Sequence, residues 1–552
     1  MASNDTKNFV IAIGGTGMRC LESFVHLCAA GMFDNQEIEI LTIDTDQENG
    51  NKNRVENLVQ NYIRIKSEHQ KEDGGRPNVN TFFSAKLNLY RFWTAYQEQS
   101  YKTLSKLSSG KPEVREENTL LSNLLLEEDT VQSFDLGHGY RAQTHLGSHL
   151  MHHSILEAAR NLAAGNSDSP AEKDLGRFLD KLGAESADSR VFVFGSVFGG
   201  TGASSIPVLP NALREAYSIV VPGKSLDLDK VKFGSTLLTE YFSFKKPTAA
   251  EKSTPENSVI ADSAFFALNS QAALQFYFTD PTVKKRYSRF YHIGWPSETE
   301  NLDAKKEVSK VITGGSSQKN KCHVLELMCA SAAYDFFNVS SATLDTESAT
   351  YLMRSVPYDG AYTFSGGDFV GGESGDRLEH KMGALLAFSH IALAINKGAD
   401  GSPGVKGFNQ RLQQQNIVDY NTLKDDEMGQ IDTFLRSFAY SIDASSQEFV
   451  PGWLYQVRHS VGSGTMMFNS SAFPTSDLDK VDIGMIMREP ANQWSEKGMF
   501  GLGSPKTFDD FVKRLVDEGK PEDSQKVTTT KEKFIAHISN ALLKSQKFIA
   551  QN

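Results

Sequence analysis

The sequence predicts an α/β protein: a mostly parallel sheet with helices on both faces, followed by an α+β region toward the C-terminus. Three observations lead there. Short apolar runs at residues 9–13 (FVIAI), 38–43 (IEILTI) and 191–194 (VFVF) have the length of buried strands. The first and third run into glycine-rich turns that open helical patterns. Strands and helices then alternate, which favours parallel pairing.

Taken in order, residues 1–45 read β-α-β. Gly14, Gly15, Thr16 and Gly17 follow the first strand, and a helix covers 18–30. The strand at 38–43 ends in Asp44, Thr45 and Asp46. Residues 50–130 are mixed and polar, with aromatic helical patches such as 89–96 (LYRFWTAY) and a polar surface loop at 105–118. The turn Gly137, His138 and Gly139, followed by Tyr140 and Arg141, precedes a helix over about 143–164, and a polar loop follows at 165–173. The strand at 191–194 then leads to Gly199, Gly200, Thr201, Gly202, Ala203 and Ser204, with a helix over 207–217. Residues 231–244 (VKFGSTLLTEYFSF) read as a strand. Helices start near Asn269 and near Asn320, the latter ending near Phe337. Past Gly360 come a glycine-rich loop at 366–375, a core helix at 382–395, a linker at 396–407, and polar helices over 409–438. Strands of a second α+β domain follow within 450–473. Residues 531–550 form a basic amphipathic helix, either solvated or docked on a neighbouring subunit.

A chain of 552 residues, 39% hydrophobic and 23% charged, is globular and long enough for two or three domains, here 1–340 and 341–552. The net charge of −11, with no dense Lys/Arg block, argues against nucleic acid as a direct partner. Cys20, Cys28, Cys322 and Cys329 lack C-x-x-C spacing and read as reduced, buried thiols. With no basic and apolar leader in MASNDTKN and no bilayer-length apolar helix, the expected location is cytoplasmic, without membrane contact.

Glycine turns between a strand and a helix leave backbone N–H groups free to converge on an anion. No Lys-Ser or Lys-Thr follows either turn, so neither is a P-loop. Asp44 and Asp46 are hard oxygen donors suited to a hydrated Mg²⁺. His145 with His149, and His149 with His153, are i,i+4 pairs on one helix face, a spacing that can bind Zn²⁺, while these three and His152 equally serve as caps and core residues of one helix. The turn Gly15-Thr16-Gly17-Met18-Arg19-Cys20 lacks the final Gly or Ala of a dinucleotide fingerprint. An NAD(P)-dependent oxidoreductase is therefore the weaker reading, since it leaves the second glycine turn unexplained.

Residues 198–204 (FGGTGAS) resemble the GGGTG(T/S)G signature of the tubulin/FtsZ superfamily, in its divergent bacterial branch. Phe198 and Ser204 stand where that family more often has glycine, and Ala203 where it has Thr or Ser. The segment TIDTDQEN resembles the acidic loop of FtsZ, and the resemblance spans about residues 8–340. It implies a GTP/GDP site with Mg²⁺ at Asp44 and Asp46, phosphate contacts from Gly14 to Gly17, from Gly137, Gly139 and Arg141, and from Gly199 to Ser204. Arg141 read without the resemblance is a surface residue after a turn. Asn269 and Asn320 correspond to residues that read guanine, and equally suit helix N-caps. The resemblance further implies a central helix, an α+β C-terminal domain open to other protein partners, and head-to-tail self-assembly into filaments. In that arrangement an acid in an N-x-D loop completes the neighbour's site for GTP hydrolysis. Here the loop reads NVSSATLDTES, and Asp335, Asp345 and Glu347 are the nearest acids. The missing pattern opens an alternative, a nucleotide-regulated scaffold without hydrolysis.

Overall fold

The structure is a computed structural model, described for residues 6–46, 48–66, 74–93, 139–140, 142, 144–184, 189–242, 263–295, 316, 318–355, 364–397, 425–442, 445, 449–461 and 519–543. Its centre is a seven-stranded sheet of order β3-β2-β1-β4-β5-β6-β7, parallel throughout. The strands are β1 (Lys7–Ile13), β2 (Glu37–Asp44), β3 (Lys86–Trp93), β4 (Ser189–Phe194), β5 (Lys232–Leu238), β6 (Arg289–Gly294) and β7 (Thr350–Ser355). Side chains alternate across it with the two-residue period of a strand. Val10, Ala12, Phe192 and Phe194 enter one core, while Phe9, Ile11, Val191 and Val193 enter the other.

The first core lies under α1 (Gly14–Ala29), α2 (Gly50–Lys66) and, after the remaining crossovers, α9 (Val324–Asn338). The second lies under α3 (Thr144–Ala163), α4 (Pro170–Ala184), the short α5 (Thr201–Ser205), α6 (Leu209–Val220), α7 (Phe266–Thr279) and α8 (Pro281–Arg286). Past α10 (Ser341–Leu344) and α11 (Gly366–Phe369), the chain adds an outer helical layer over α1 and α2. That layer comprises α12 (Glu373–Lys397), α13 (Asp425–Phe438), α14 (Trp453–His459) and α15 (Thr530–Leu543), with a small hairpin of β8 (Tyr440–Ile442) and β9 (Phe449–Pro451).

Several expectations are corrected. Of the helical patch expected over 89–96, residues 89–93 instead belong to β3, where aromatic side chains suit a pleated, half-buried surface, and 94–96 lie outside the described residues. The strand expected over 231–244 stops at Leu238. A boundary at residue 340 would cut the sheet, because β7 pairs with β6 beyond it. The C-terminal segments share one apolar core with α1, α2 and α9, so among the described residues they form no separate α+β unit. The terminal helix is not solvated over its described part, and residues 544–550 lie outside the described residues. In α15, Phe534, Ile538, Ala541 and Leu542 are buried, and Lys531 donates to the Arg64 carbonyl of α2 at 2.8 Å.

Sandwiched between sheet and outer layer, α1 is buried on every side. Trp453 donates its indole N–H to Ser23 at 3.0 Å, and His26 sits among Trp453, Phe438 and Phe434 with ring centroids 4.8, 5.3 and 5.4 Å away. Neither nitrogen of His26 has a hydrogen-bond partner among the described residues. Burial, aided by the Arg54 charge, pushes its pKa down to about 3. The unfolded chain takes up this proton near the ordinary value of about 6.5. The stability held in the neutral ring is therefore intact above about pH 6.5 and is lost as pH falls toward 3. His26→Leu should remove this acid sensitivity and stabilise the protein near neutrality by about 1–3 kcal/mol, the cost of a buried unpaired polar group. Thermal melts near neutral pH and at about pH 4.5 check both parts, with the larger gain expected at the lower pH.

Candidate nucleotide site

Strand order reverses between β1 and β4, and open parallel sheets bind ligands at the carboxyl ends of strands at such a switch point. Ala12 pairs with Phe194, so the two glycine turns leave the sheet side by side. Gly14 begins α1 at once, with φ of +65°, a left-handed backbone that favours glycine. Among the described residues no side chain caps α1, whose N-cap is Ile13. The N–H groups of its first turn therefore lack the side-chain acceptor that usually satisfies one of them.

A Cβ at Gly14 would stand 3.1 Å from Cβ of Thr201. A Cβ at Gly139 would face Oγ1 of Thr201 at 3.7 Å and Oγ1 of Thr45 at 3.8 Å. Gly14, Thr45, Gly139 and Thr201 thus converge from four separate loops. Gly200 lies against the third loop so closely that a Cβ would come within 2.7 Å of the Ala142 nitrogen and 2.8 Å of the Tyr140 carbonyl carbon.

Not all predicted residues reach this cradle. Gly15, Thr16, Gly199, Gly200 and Thr201 are partly accessible on the turns. Gly17, Gly202, Ala203 and Ser204 are buried in packing, with Ser204 donating to the Thr201 carbonyl at 3.0 Å. Gly137 and Arg141 lie outside the described residues.

Asp44 closes β2 and is 2% exposed. Its Oδ1 accepts the Asp46 N–H at 3.2 Å, while its Oδ2 has no partner among the described residues, nor does the Thr45 hydroxyl. Burial first, then the neighbouring Asp46 charge, pushes the Asp44 pKa up to about 7. Two buried carboxylates with an unpartnered buried hydroxyl between them in sequence fit a Mg²⁺ ion, which takes one or two carboxylates and completes its shell with water and phosphate oxygens. Among the described residues no group of three His, Cys, Asp or Glu side chains could hold a metal by itself. The histidines of α3 follow that pattern: His152 faces Glu215 at 3.4 Å and His153 faces Glu157 at 3.9 Å. None of the four is a buried core residue.

The two asparagines are placed differently from the expectation. Neither caps a helix: the N-cap of α7 is Phe265 and that of α9 is His323. Asn269 lies in the first turns of α7 and donates to the Phe198 carbonyl at 3.4 Å, beside the second glycine turn. Asn320 precedes α9 and is locked to Asn51, accepting from its Nδ2 at 2.9 Å and donating its own N–H to Oδ1 at 3.0 Å.

One feature escaped the sequence reading. Asn49 holds the start of α2 by accepting from the N–H groups of Asn51 and Lys52 at 2.9 and 3.2 Å. It also donates to Gln318 at 2.7 Å. Arg54 donates to the Asn320 carbonyl at 3.0 Å and pairs with Glu22 at 2.6 Å. Residues 318–322 are thereby strapped across the starts of α1 and α2. The N-x-N spacing of Asn49 and Asn51 after the acidic loop was the available signal.

The three candidate acids lie at the opposite pole. Asp335 accepts from Arg289 at 2.9 Å and Tyr291 at 2.6 Å, and Asp345 pairs with Lys232 at 3.0 Å. Lys232 and Arg289 open β5 and β6, so these acids sit a full strand length, about 20 Å, from the glycine turns. Glu347 is exposed on the same side. No family model, curated protein or solved structure matches the chain.

Proposed function

We propose that this chain is a tubulin/FtsZ-like nucleotide-binding protein that holds GTP or GDP with Mg²⁺ and assembles head to tail into filaments. The observation that carries this reading is the pair of glycine turns at the ends of adjacent strands β1 and β4, converging with Gly139 and Thr45 on one cradle. Gly14 to Thr16 and Gly199 to Thr201 present backbone N–H groups to phosphate, with the uncapped start of α1 adding its dipole. Bound Mg²⁺ would supply charge neutralisation at the phosphates. Asp44 and Asp46 would hold it, and Asn269 and Asn320 are the candidates for reading the base.

Polarity supports assembly. Asp335, Asp345 and Glu347 stand about 20 Å from their own glycine turns, so they reach a phosphate only in another copy stacked along the strand axis. Such heterologous contacts extend into filaments unless their rotation closes a ring. A second reading, a nucleotide-regulated scaffold without hydrolysis, is favoured by the ion pairs that engage Asp335 and Asp345.

The deciding experiment is GTP turnover against protein concentration, with light scattering from the same sample. Turnover and scattering that appear together above a critical concentration support hydrolysis in trans. Scattering alone supports the scaffold, and absence of GTP binding removes both. A narrower prediction concerns Asp44→Asn. GTP affinity in Mg²⁺ should fall about tenfold or more, while affinity in EDTA stays unchanged. An equal loss in EDTA would remove Asp44 from the metal site.

A further inference from the structure

We infer that a second copy of this chain docks on the outer edge formed by β7 and α7, through a two-fold contact that needs no nucleotide. Strand β7 ends the sheet, and among the described residues nothing pairs with its outer side. Leu352 and Met353 are exposed there, Met353 by 71%. Beside it lies α7, joined to the strand by the Tyr351 hydroxyl on the Tyr277 carbonyl at 2.9 Å and by Phe278 against Tyr351 at 5.4 Å. The stretch from Ser263 to Thr279 contains no charged residue, and Phe265, Leu268, Phe276 and Phe278 stand 46–61% exposed on it.

Such an edge is a liability in a soluble chain unless it is covered. Natural edges carry charges, prolines or bulges, whereas the strand TYLMRS offers only Arg354. Side chains alternate along β7, so Met353 shares the face of Tyr351 and α7 while Leu352 points to the other face. The exposed parts of the five apolar side chains on the α7 side, Phe265, Leu268, Phe276, Phe278 and Met353, amount to about 600 Å², at roughly 200 Å² for each whole aromatic residue. That equals the largest patch of a typical monomer and approaches the ~800 Å² per partner of a stable interface.

A second copy is the occupant that charge favours. With a net charge of −11 the chain repels itself generally, and an uncharged face is where two copies meet without that cost. The basic turn Lys284, Lys285 and Arg286 lies at the lower end of α7. A two-fold axis normal to the sheet runs the two β7 strands antiparallel and sets the lower end of one copy beside the upper end of the other. The basic turns therefore stay apart, and the unpaired N–H and C=O groups of each edge find partners. The axis lies across the strand direction, so this contact is lateral to any head-to-tail stacking. Combined with such stacking, it yields antiparallel paired filaments.

The test is the solution mass in nucleotide-free buffer, which separates this contact from filament growth. Wild-type protein should weigh twice the 61.0 kDa of the chain. Leu268→Asp/Phe278→Asp and, separately, Met353→Lys should each halve that mass. Both alter exposed side chains, and thermal melts should match wild type. If the double variant does not fold, Met353→Lys alone decides. A monomeric wild type, or a dimer that persists in the folded variants, overturns the proposal. GTP binding measured on the same samples keeps the readings apart: dimers that bind no GTP sink the nucleotide reading and leave this one standing.

Discussion

Gly200→Trp protein should fold and bind no GTP. The Gly200 position faces backbone on the third loop, with a Cβ falling 2.7 Å from the Ala142 nitrogen and 2.8 Å from the Tyr140 carbonyl carbon. Backbone cannot rotate aside as a side-chain end can, so even alanine must displace the loop that carries Gly139. An indole there drives that loop away from Thr201 and Thr45 and fills the cradle between the two turns. Gly200→Ala should give an intermediate loss of affinity, because its one methyl only shifts the loop. Equilibrium binding of a fluorescent GTP analogue, alongside circular dichroism to verify folding, reads the series. Normal binding by a folded Gly200→Trp variant would mean that phosphate is held elsewhere.

The largest stability effect is expected at Arg19. Its guanidinium meets Glu326 at 2.6 Å, donates to the Lys321 carbonyl, and lies over Tyr241 and Phe242 at 5.4 Å from each ring centre. The two charged side chains are 4% and 0% exposed. Glu326 also accepts from the Tyr241 hydroxyl at 2.6 Å and from the His323 N–H at 2.9 Å. Arg19→Met leaves this carboxylate buried without its counter-charge, which costs about 3–5 kcal/mol. Burial already holds Glu326 above its ordinary carboxylate range, and loss of Arg19 raises it further. A carboxyl raised in the fold ionises first in the unfolded chain, so the defect should shrink as pH falls and grow as pH rises. Arg19→Met/Glu326→Gln should recover most of the loss. Denaturant unfolding of the two single variants and the double variant measures the coupling. The pair ties the second turn of α1, just behind the first glycine turn, to the first turn of α9, so Arg19→Met should weaken GTP binding as well.

The strands β1, β2 and β4 were legible because a parallel strand covered on both faces is apolar along its whole length. The glycine turns were legible for the same reason, as each interrupts such a run. By contrast, β3 alternates aromatic with polar side chains at an edge of the sheet, and its aromatics read as a helix face. Helix α2 went unread because Asn49, Asn51 and Lys52 look like loop residues until their partners near residue 320 are known. The tail helix was misjudged because its cover, α12 and α2, lies far away in sequence. Local pattern carried the centre of the sheet and both turns. It could not carry an outer layer built from segments hundreds of residues apart.

That outer layer bears on the order in which the chain can be completed. The bond from Trp453 to Ser23 closes a separation of 430 residues. At the ribosome's pace of about 5–20 residues per second, α1 emerges roughly 20–90 s before its cover exists. Through that interval the helix behind the first glycine turn has one face on the sheet and its other, apolar face open to water. Truncations that remove α13 to α15 should therefore leave that apolar face of α1 exposed and aggregate, which light scattering of the truncated protein would read.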